Sequence, residues 1–168
     1  EVFPIISLDE RSHDIQLDPG KAIPILPLRN MVIFPGVLLP VSVARPKSLK
    51  LVRQAHQNEQ LIGVCTQIDR KLEDPTIDQL YKVGTVAQVV RILEMPDGST
   101  TVILEGKKRF ALGDQVAARP YMKAKVSVLE EHLPEDAQEG VFTALVSSIK
   151  DLASEMIQNS GVMPPETT

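Results

Sequence analysis

Between residues 23 and 131 apolar residues either alternate with polar ones or gather in short runs, the pattern of strands. Met122, Ala124, Val126 and Val128 alternate with Lys123, Lys125 and Ser127, which predicts a strand over 122–129 with one buried face. Residues 83–93 are rich in Val and Ile and predict a long strand. Pro96-Asp97-Gly98 predicts a hairpin turn, because Pro presets φ and Asp-Gly tolerates φ above zero. Residues 100–105 then return as the partner strand. Residues 38–43, 61–68 and 109–112 complete the set. Residues 23–28 are apolar too, but Pro24 and Pro27 cannot donate to a ladder, which predicts an edge or irregular strand.

The period changes in two places. Pro46 suits a first helical turn, and Leu49, Val52 and Ala55 follow at helical spacing with Leu51 beside the stripe. This helix should end near Asn58, and a shorter helix or turn is expected over 76–81. Past residue 135, Phe142, Leu145, Ile149, Leu152 and Met156 recur at spacings of three and four. Val141, Val146, Ala153 and Ile157 widen the stripe into an amphipathic helix of about five to six turns. The plain reading of that face is packing within the molecule. The sharper reading is a docking face for another chain. Residues 1–21 read as a flexible tail with a turn signal at Asp18-Pro19-Gly20. Its apolar piece, Val2-Phe3-Pro4-Ile5-Ile6, could dock on the body. The expected parts are therefore a tail (1–21), a β domain (22–131) and a helical segment (132–168). The chain opens on Glu1 rather than Met, and the stripe has no second helix to cover it. Both observations suggest a portion of a longer protein, with helical structure continuing past Thr168.

Composition narrows the classes. The 168 residues are 43% hydrophobic and 24% charged, as in a globular domain with a real core. Aromatics are 4% and Trp is absent, so aliphatic residues must build that core. A net charge of −4 and few aromatics for base stacking argue against nucleic-acid binding. The one cysteine, Cys65, lies in an apolar run and reads as a buried small hydrophobe. Lack of cystines fits a reducing compartment. No apolar run approaches the roughly 20 residues of a membrane span, so a cytoplasmic location and no membrane partner are expected.

The search for chemistry is negative. No phosphate-binding G-x-x-x-x-G-K-[ST], no G-x-S-x-G elbow and no H-E-x-x-H or C-x-x-C spacing is present. Gly106-Lys107-Lys108 lacks the rest of a phosphate loop and reads as a turn at a strand end. His13, His56 and His132 are scattered, so no metal site is expected. Asp69, Glu73, Asp74 and Asp78 read as a solvated acidic loop. Neither catalytic nor cofactor-binding residues are expected. Arg45, Lys47, Lys50 and Arg53 gather at the start of the first helix, either as a solvated face or as a contact with a polypeptide or neighbouring domain. Met31 through Leu39 are apolar but for the Pro35-Gly36 break. Such a loop either folds inward, our preferred reading, or forms a sticky surface suited to unfolded polypeptide.

Several fragments, taken in order, carry a family resemblance. Leu26-Pro27-Leu28-Arg29, Phe34-Pro35-Gly36, Pro40, Arg45 and Lys47-Ser48 resemble the opening of the Lon protease N-terminal domain. Asp78-Gln79-Leu80-Tyr81-Lys82-Val83-Gly84-Thr85-Val86-Ala87, then Pro96-Asp97-Gly98, then Val102-Ile103-Leu104-Glu105-Gly106, continue it. The resemblance covers about residues 24–130. Pro46, where the family often has an acidic residue, Ala44 in place of a common glycine, and the basic Lys107-Lys108 depart from the pattern. The resemblance implies an α+β fold: a PUA-like six-stranded pseudo-barrel with one packed helix, then the start of a helical subdomain. It implies a homohexameric parent with an AAA+ ATPase, using ATP and Mg, and a Ser-Lys protease, both outside this chain. It further implies a role in selecting unfolded or tagged protein substrates and in assembly with the rest of the parent and neighbouring subunits. Such a role asks for adaptable apolar surface and a few charges. Met31, Phe34, Pro35, Arg45, Lys47 and Lys50 are accordingly the candidate polypeptide-binding or interdomain residues. Phe142, Leu145, Ile149, Leu152 and Met156 are the candidate docking face. The competing reading is a standalone adaptor or small-ligand receptor of the same fold.

Overall fold

A computed structural model describes residues 5–6, 20–96, 98–130 and 140–160. The chain divides into two compact units, 1–130 and 131–168. The first is built on seven strands and a helix: β1 (Ile5–Ile6), β2 (Ala22–Leu28), β3 (Val37–Val43), α1 (Pro46–Gln57), β4 (Ile62–Thr66), β5 (Val83–Glu94), β6 (Thr100–Ala117) and β7 (Lys123–Val128). A 3-10 turn, Ile77–Gln79, sits between β4 and β5, closed by a capping box between Thr76 and Gln79. In the second unit, α2 spans Gly140–Ser160.

The sheet order is β1-β3-β6-β5-β4-β2-β7, and β7 pairs again with β6. Five strands therefore close into a ring, with β3 alongside the first half of β6. The dipeptide β1 pairs with Leu38 and Val37 of β3. Apart from it the unit is a six-stranded pseudo-barrel, mixed because β2 runs parallel to β4. The remaining residues of the expected tail, through 19, lie outside the described residues.

β6 corrects one expectation. Gly106-Lys107-Lys108 is not a turn, and 100–105 and 109–112 are not separate strands; all lie within the 18 residues of β6. The strand must be long because it has two neighbours on one edge. Residues 100–105 pair with β3 and residues 110–117 with β7, while β5 pairs along the other edge. The glycine is needed for close packing, not for turning. A Cβ at Gly106 would lie 2.2 Å from the carbonyl oxygen of Phe34.

β2 corrects another. It lies between β4 and β7 rather than at an edge. Its prolines survive there because each half of the strand pairs mainly with one neighbour, the ladders changing over at Ile25. Residues 22–24 pair with β7 and residues 25–28 with β4. The carbonyl of Leu28 accepts from Gln67, whereas Ile25 N–H donates to Met122 on the other side. Alternation then turns Pro27, like Ile25, toward the β7 side, where pairing has already ended.

Two buried clusters follow from the alternation. Leu26, Leu28, Val64, Val89, Val102 and Leu104 belong to one, which α1 covers through Leu51, Val52 and Ala55. Ile23, Ile25, Cys65, Val86, Leu112 and Val126 surround Phe110 in the other. Gly63 gives the Phe110 ring room, since a Cβ there would meet it at 2.8 Å. The buried stripe of α1 is Ser48, Leu51, Val52 and Ala55, with Leu49 only half-buried at the margin. That is a small rotation from the expected phase.

Candidate functional site: a groove and an apolar patch flanking one loop

The seam left where β7 peels away from β2 is a groove of about 710 Å³. Its floor is apolar: Ile25, Pro27, Leu51, Tyr121 and Met122. Arg29, Arg45, Lys47 and Ser48 stand at one end, with Glu73 and Asp74 on the facing loop. A recess of about 190 Å³ adjoins it and shares Pro27, Arg29, Arg45 and Ser48. Gln115 also lines the groove, at a register shift between β6 and β7 of the kind that re-aims a side chain. Tyr121 ties its wall to α1 by donating its hydroxyl to Gln54 Oε1 at 3.0 Å.

The loop after β4 is held by buried Gln67. Its amide nitrogen donates to the carbonyls of Asp69 (2.7 Å) and Leu72 (3.0 Å). Its amide oxygen accepts from Arg45 Nη2 at 2.7 Å, and Arg45 also reaches the carbonyl of Leu72 at 3.2 Å. The Arg45 pKa lies below its ordinary value, first because burial disfavours the charge and then because Arg29 is near; Asp74 and Glu73 oppose this. Lys47 pairs with Asp74. The acidic loop is thus partly committed to this groove.

A second surface includes Ile68 of the same loop. Thr66 and Thr85 donate their hydroxyls to the carbonyls of Met31 and Ile33, both at 2.6 Å. These bonds pin residues 31–34 over β4 and the start of β5. The inward reading of this loop therefore holds for Ile33 and Leu39, which are buried, and fails for Val32 and Phe34, 59% and 61% exposed. The pinned backbone forces the split: with Ile33 pointing in, its neighbours point out. Side chains two apart share a strand face, so the face bearing Thr66 and Thr85 continues through Ile68, Val83 and Tyr81. All three are more than half exposed. Val32 and Phe34 stand exposed on the loop that these threonines hold against that face, and we take the five side chains together as an apolar patch, a surface that marks interaction sites.

The predicted site residues thus separate. Arg45 and Lys47 meet in the groove. Phe34 belongs to the patch, and Met31 and Pro35 to the same loop, half-buried. Lys50 is exposed on α1 and lines neither cavity. On α2, Leu145, Ile149, Leu152 and Met156 are exposed and Phe142 is half-buried. Sequence reasoning missed Gln67 and Tyr121, and placed Arg29 and Ser48 only within family motifs. Ser48 was discernible as a small polar residue three positions from Leu51 and seven from Ala55, on their face. Gln67 and Tyr121 give no local signal. Cys65 is buried, and burial raises its thiol pKa to about 12. Among the described residues no cluster of side chains could hold a metal ion, and no helix is long and apolar enough to cross a membrane.

A small mixed-sheet pseudo-barrel that presents a groove and an apolar patch defines a binding module. Residues 22–168 match the family model of the ATP-dependent protease La (LON) substrate-binding domain, and the chain belongs to that family. It is 53% identical to Lon protease of Parabacteroides distasonis over 93% of this chain and 19% of that protein. It is 42% identical to Lon protease of Flavobacterium johnsoniae over 100% of this chain and 20% of that protein. The chain spans about a fifth of the length of these curated relatives. The N-terminal domain of the Mycobacterium avium complex Lon protease has the same fold, with a TM-score of 0.61 at 20% identity, covering 84% of this chain and 70% of that one. A Lon N-terminal domain protein from Xanthomonas campestris gives 0.55 at 20% identity, covering 79% and 75%.

Proposed function

We propose that this chain is the recognition and assembly domain of a cytoplasmic, homohexameric ATP-dependent Lon protease, binding unfolded or tagged polypeptide and performing no catalysis itself. In that reading ATP, Mg and the Ser-Lys dyad belong to other parts of the parent protein, which degrades misfolded and regulatory proteins. The exposed apolar stripe of α2 docks on other parts of that parent or on neighbouring subunits. The observation that carries polypeptide binding is the patch of Val32, Phe34, Ile68, Tyr81 and Val83, held open by two threonine hydroxyls on an otherwise well-packed barrel. A pinned loop offers apolar area without the entropy cost of ordering it on binding. The test is crosslinking of the chain to a denatured model protein. Wild type should crosslink weakly and hydrolyse no ATP. Phe34→Ser removes up to about 1.5 kcal/mol of apolar burial and should weaken binding roughly tenfold. Unchanged crosslinking by Phe34→Ser and Val83→Ser together would remove the patch from the proposal. ATP hydrolysis by the purified chain would overturn the non-catalytic reading. The long Lon relatives do not favour the standalone adaptor or small-ligand receptor.

A further inference from the structure

Helix α1 begins at the groove with its first turn uncapped. Pro46 has no N–H, and the first helical bond runs from Leu49 N–H to the Arg45 carbonyl at 2.9 Å. The N–H groups of Lys47 and Ser48 precede that bond and are left over. Arg45, in the N-cap position, gives no side-chain cap; its guanidinium is spent on Gln67 and Leu72. No acidic residue stands in the first turn. Such a helix start offers spare donors and partial positive charge.

An independent observation points to a ligand there. Ser48 is 6% exposed and lines both the groove and its recess. Its hydroxyl makes no hydrogen bond to any described residue. Nor is the oxygen sealed in the core, where it would be an orphan; it opens into the cavity. The nearly buried side chain thus keeps a hydroxyl with no partner among the described residues, a donor available to whatever occupies the cavity. Arg29 enters the same end of the groove exposed, with no hydrogen bond or ion pair to any described residue. The opposing carboxylates are engaged elsewhere in the groove: Asp74 pairs with Lys47, and Asp74 and Glu73 act on Arg45.

We propose that the groove captures the C-terminal carboxylate of a polypeptide whose last side chain is apolar. The carboxylate accepts from the Lys47 and Ser48 N–H groups, the Ser48 hydroxyl and Arg29. The last side chain lies on half-buried Pro27 and Met122, above buried Ile25, Leu51 and Tyr121. A chain terminus carries both groups on one Cα, matching a donor-rich end and an apolar floor within one cavity, and terminal carboxylates are a recurrent target of spare backbone donors. The inference rests on the polypeptide-binding reading but uses a different surface from the Phe34 patch.

The experiment measures binding of the full chain to a labelled eight-residue peptide ending in Leu, as free acid and as C-terminal amide. Loss of charge-assisted hydrogen bonds predicts that the acid binds about tenfold more tightly. Arg29→Gln and Ser48→Ala should each shrink that ratio to about threefold or less. Arg29 is exposed, so its variant keeps the fold if Ser48→Ala does not. Equal binding of acid and amide, while denatured protein still crosslinks at the Phe34 patch, overturns the carboxylate site alone. A full tenfold preference retained in Arg29→Gln overturns it too. Inorganic phosphate that binds without any acid-over-amide preference would overturn it in favour of a small-anion site. Loss of all polypeptide binding, peptide and denatured protein alike, would overturn the underlying reading as well.

Discussion

Gly106→Ala perturbs the closest approach of the 31–36 loop to β6. The new methyl would sit 2.2 Å from the Phe34 carbonyl oxygen and 2.9 Å from Ile33 Cγ2. Neither neighbour is the far end of a flexible side chain. The oxygen is backbone, and Ile33 is buried. The loop must lift, because β6 is pinned at this level by β3 on one edge and β5 on the other. Overpacking of this kind costs about 1–3 kcal/mol. Lifting also strains the bond from Gly36 N–H to the Gly106 carbonyl (2.9 Å) and the buried bond from Thr85 to Ile33. Losing one buried hydrogen bond adds about 1–3 kcal/mol. Because the lift strains these bonds rather than breaking them outright, the expected loss is about 2–4 kcal/mol rather than the full sum, a large part of the ~5–15 kcal/mol that holds a domain together. In urea, with a slope of ~1–3 kcal/mol per molar, the midpoint should fall by about 1–2 M at unchanged slope. Gly98→Ala is the control. Gly98 has φ of 82° but nothing within 4 Å of a Cβ, so it carries backbone strain alone, about 1 kcal/mol. A Gly106→Ala midpoint equal to that of wild type, or above that of Gly98→Ala, would refute the packing argument.

Three further outcomes are expected. Thr85→Val should cost about 1–3 kcal/mol by orphaning the Ile33 carbonyl, and the loss should appear in the urea midpoint. Hydrogen exchange should quicken in the 31–34 loop of the same variant. Gln67→Leu removes the partner of Arg45 and two carbonyl contacts and should destabilise by about 2–4 kcal/mol; a melting temperature within a degree of wild type would contradict the role given to that amide. For Cys65 the folded thiol pKa is raised from 9.0 to about 12. Its stabilising contribution is therefore full below pH 9 and is lost as pH rises from 9 through about 12, because the unfolded chain gives up the proton first. Native protein should resist thiol reagents at pH 8, and Cys65→Ala should flatten the decline of stability above pH 9.

The strands were legible where alternation met a turn residue. The β5–β6 hairpin followed from Pro96 and Gly98, and the one-sided face of β7 from Ala124 and Val126. What escaped was non-local. Gly106-Lys107-Lys108 has turn composition, and only the presence of two successive neighbours, β3 and β7, makes it mid-strand. Local propensity carries no information about which strands compete for an edge. The loop at 31–39 escaped for a related reason. Its residues are uniformly apolar, so direction was set by Thr66 and Thr85, more than thirty and fifty positions away. Of the candidate site, the charges at Arg45 and Lys47 were visible, but the Gln67 lock and the Tyr121 wall were not, because buried polar partners form no pattern along the chain.

Pro27 links the closed ring to the groove. Read as a sequence, it argues for an edge, and in the folded chain it makes one locally inside a closed ring. Turned toward β7 without a donor, it cannot extend the ladder that ends at Pro24 and Lys123. The next bond on that side, Ile25 to Met122, is the last. Beyond it the walls part, and half-buried Pro27 and Met122 line the groove above the core residues Ile25 and Tyr121. A donor-bearing residue at 27 would let β7 zip further and narrow the groove. The same missing hydrogen bond that weakens a strand is what gives this barrel a surface to bind with.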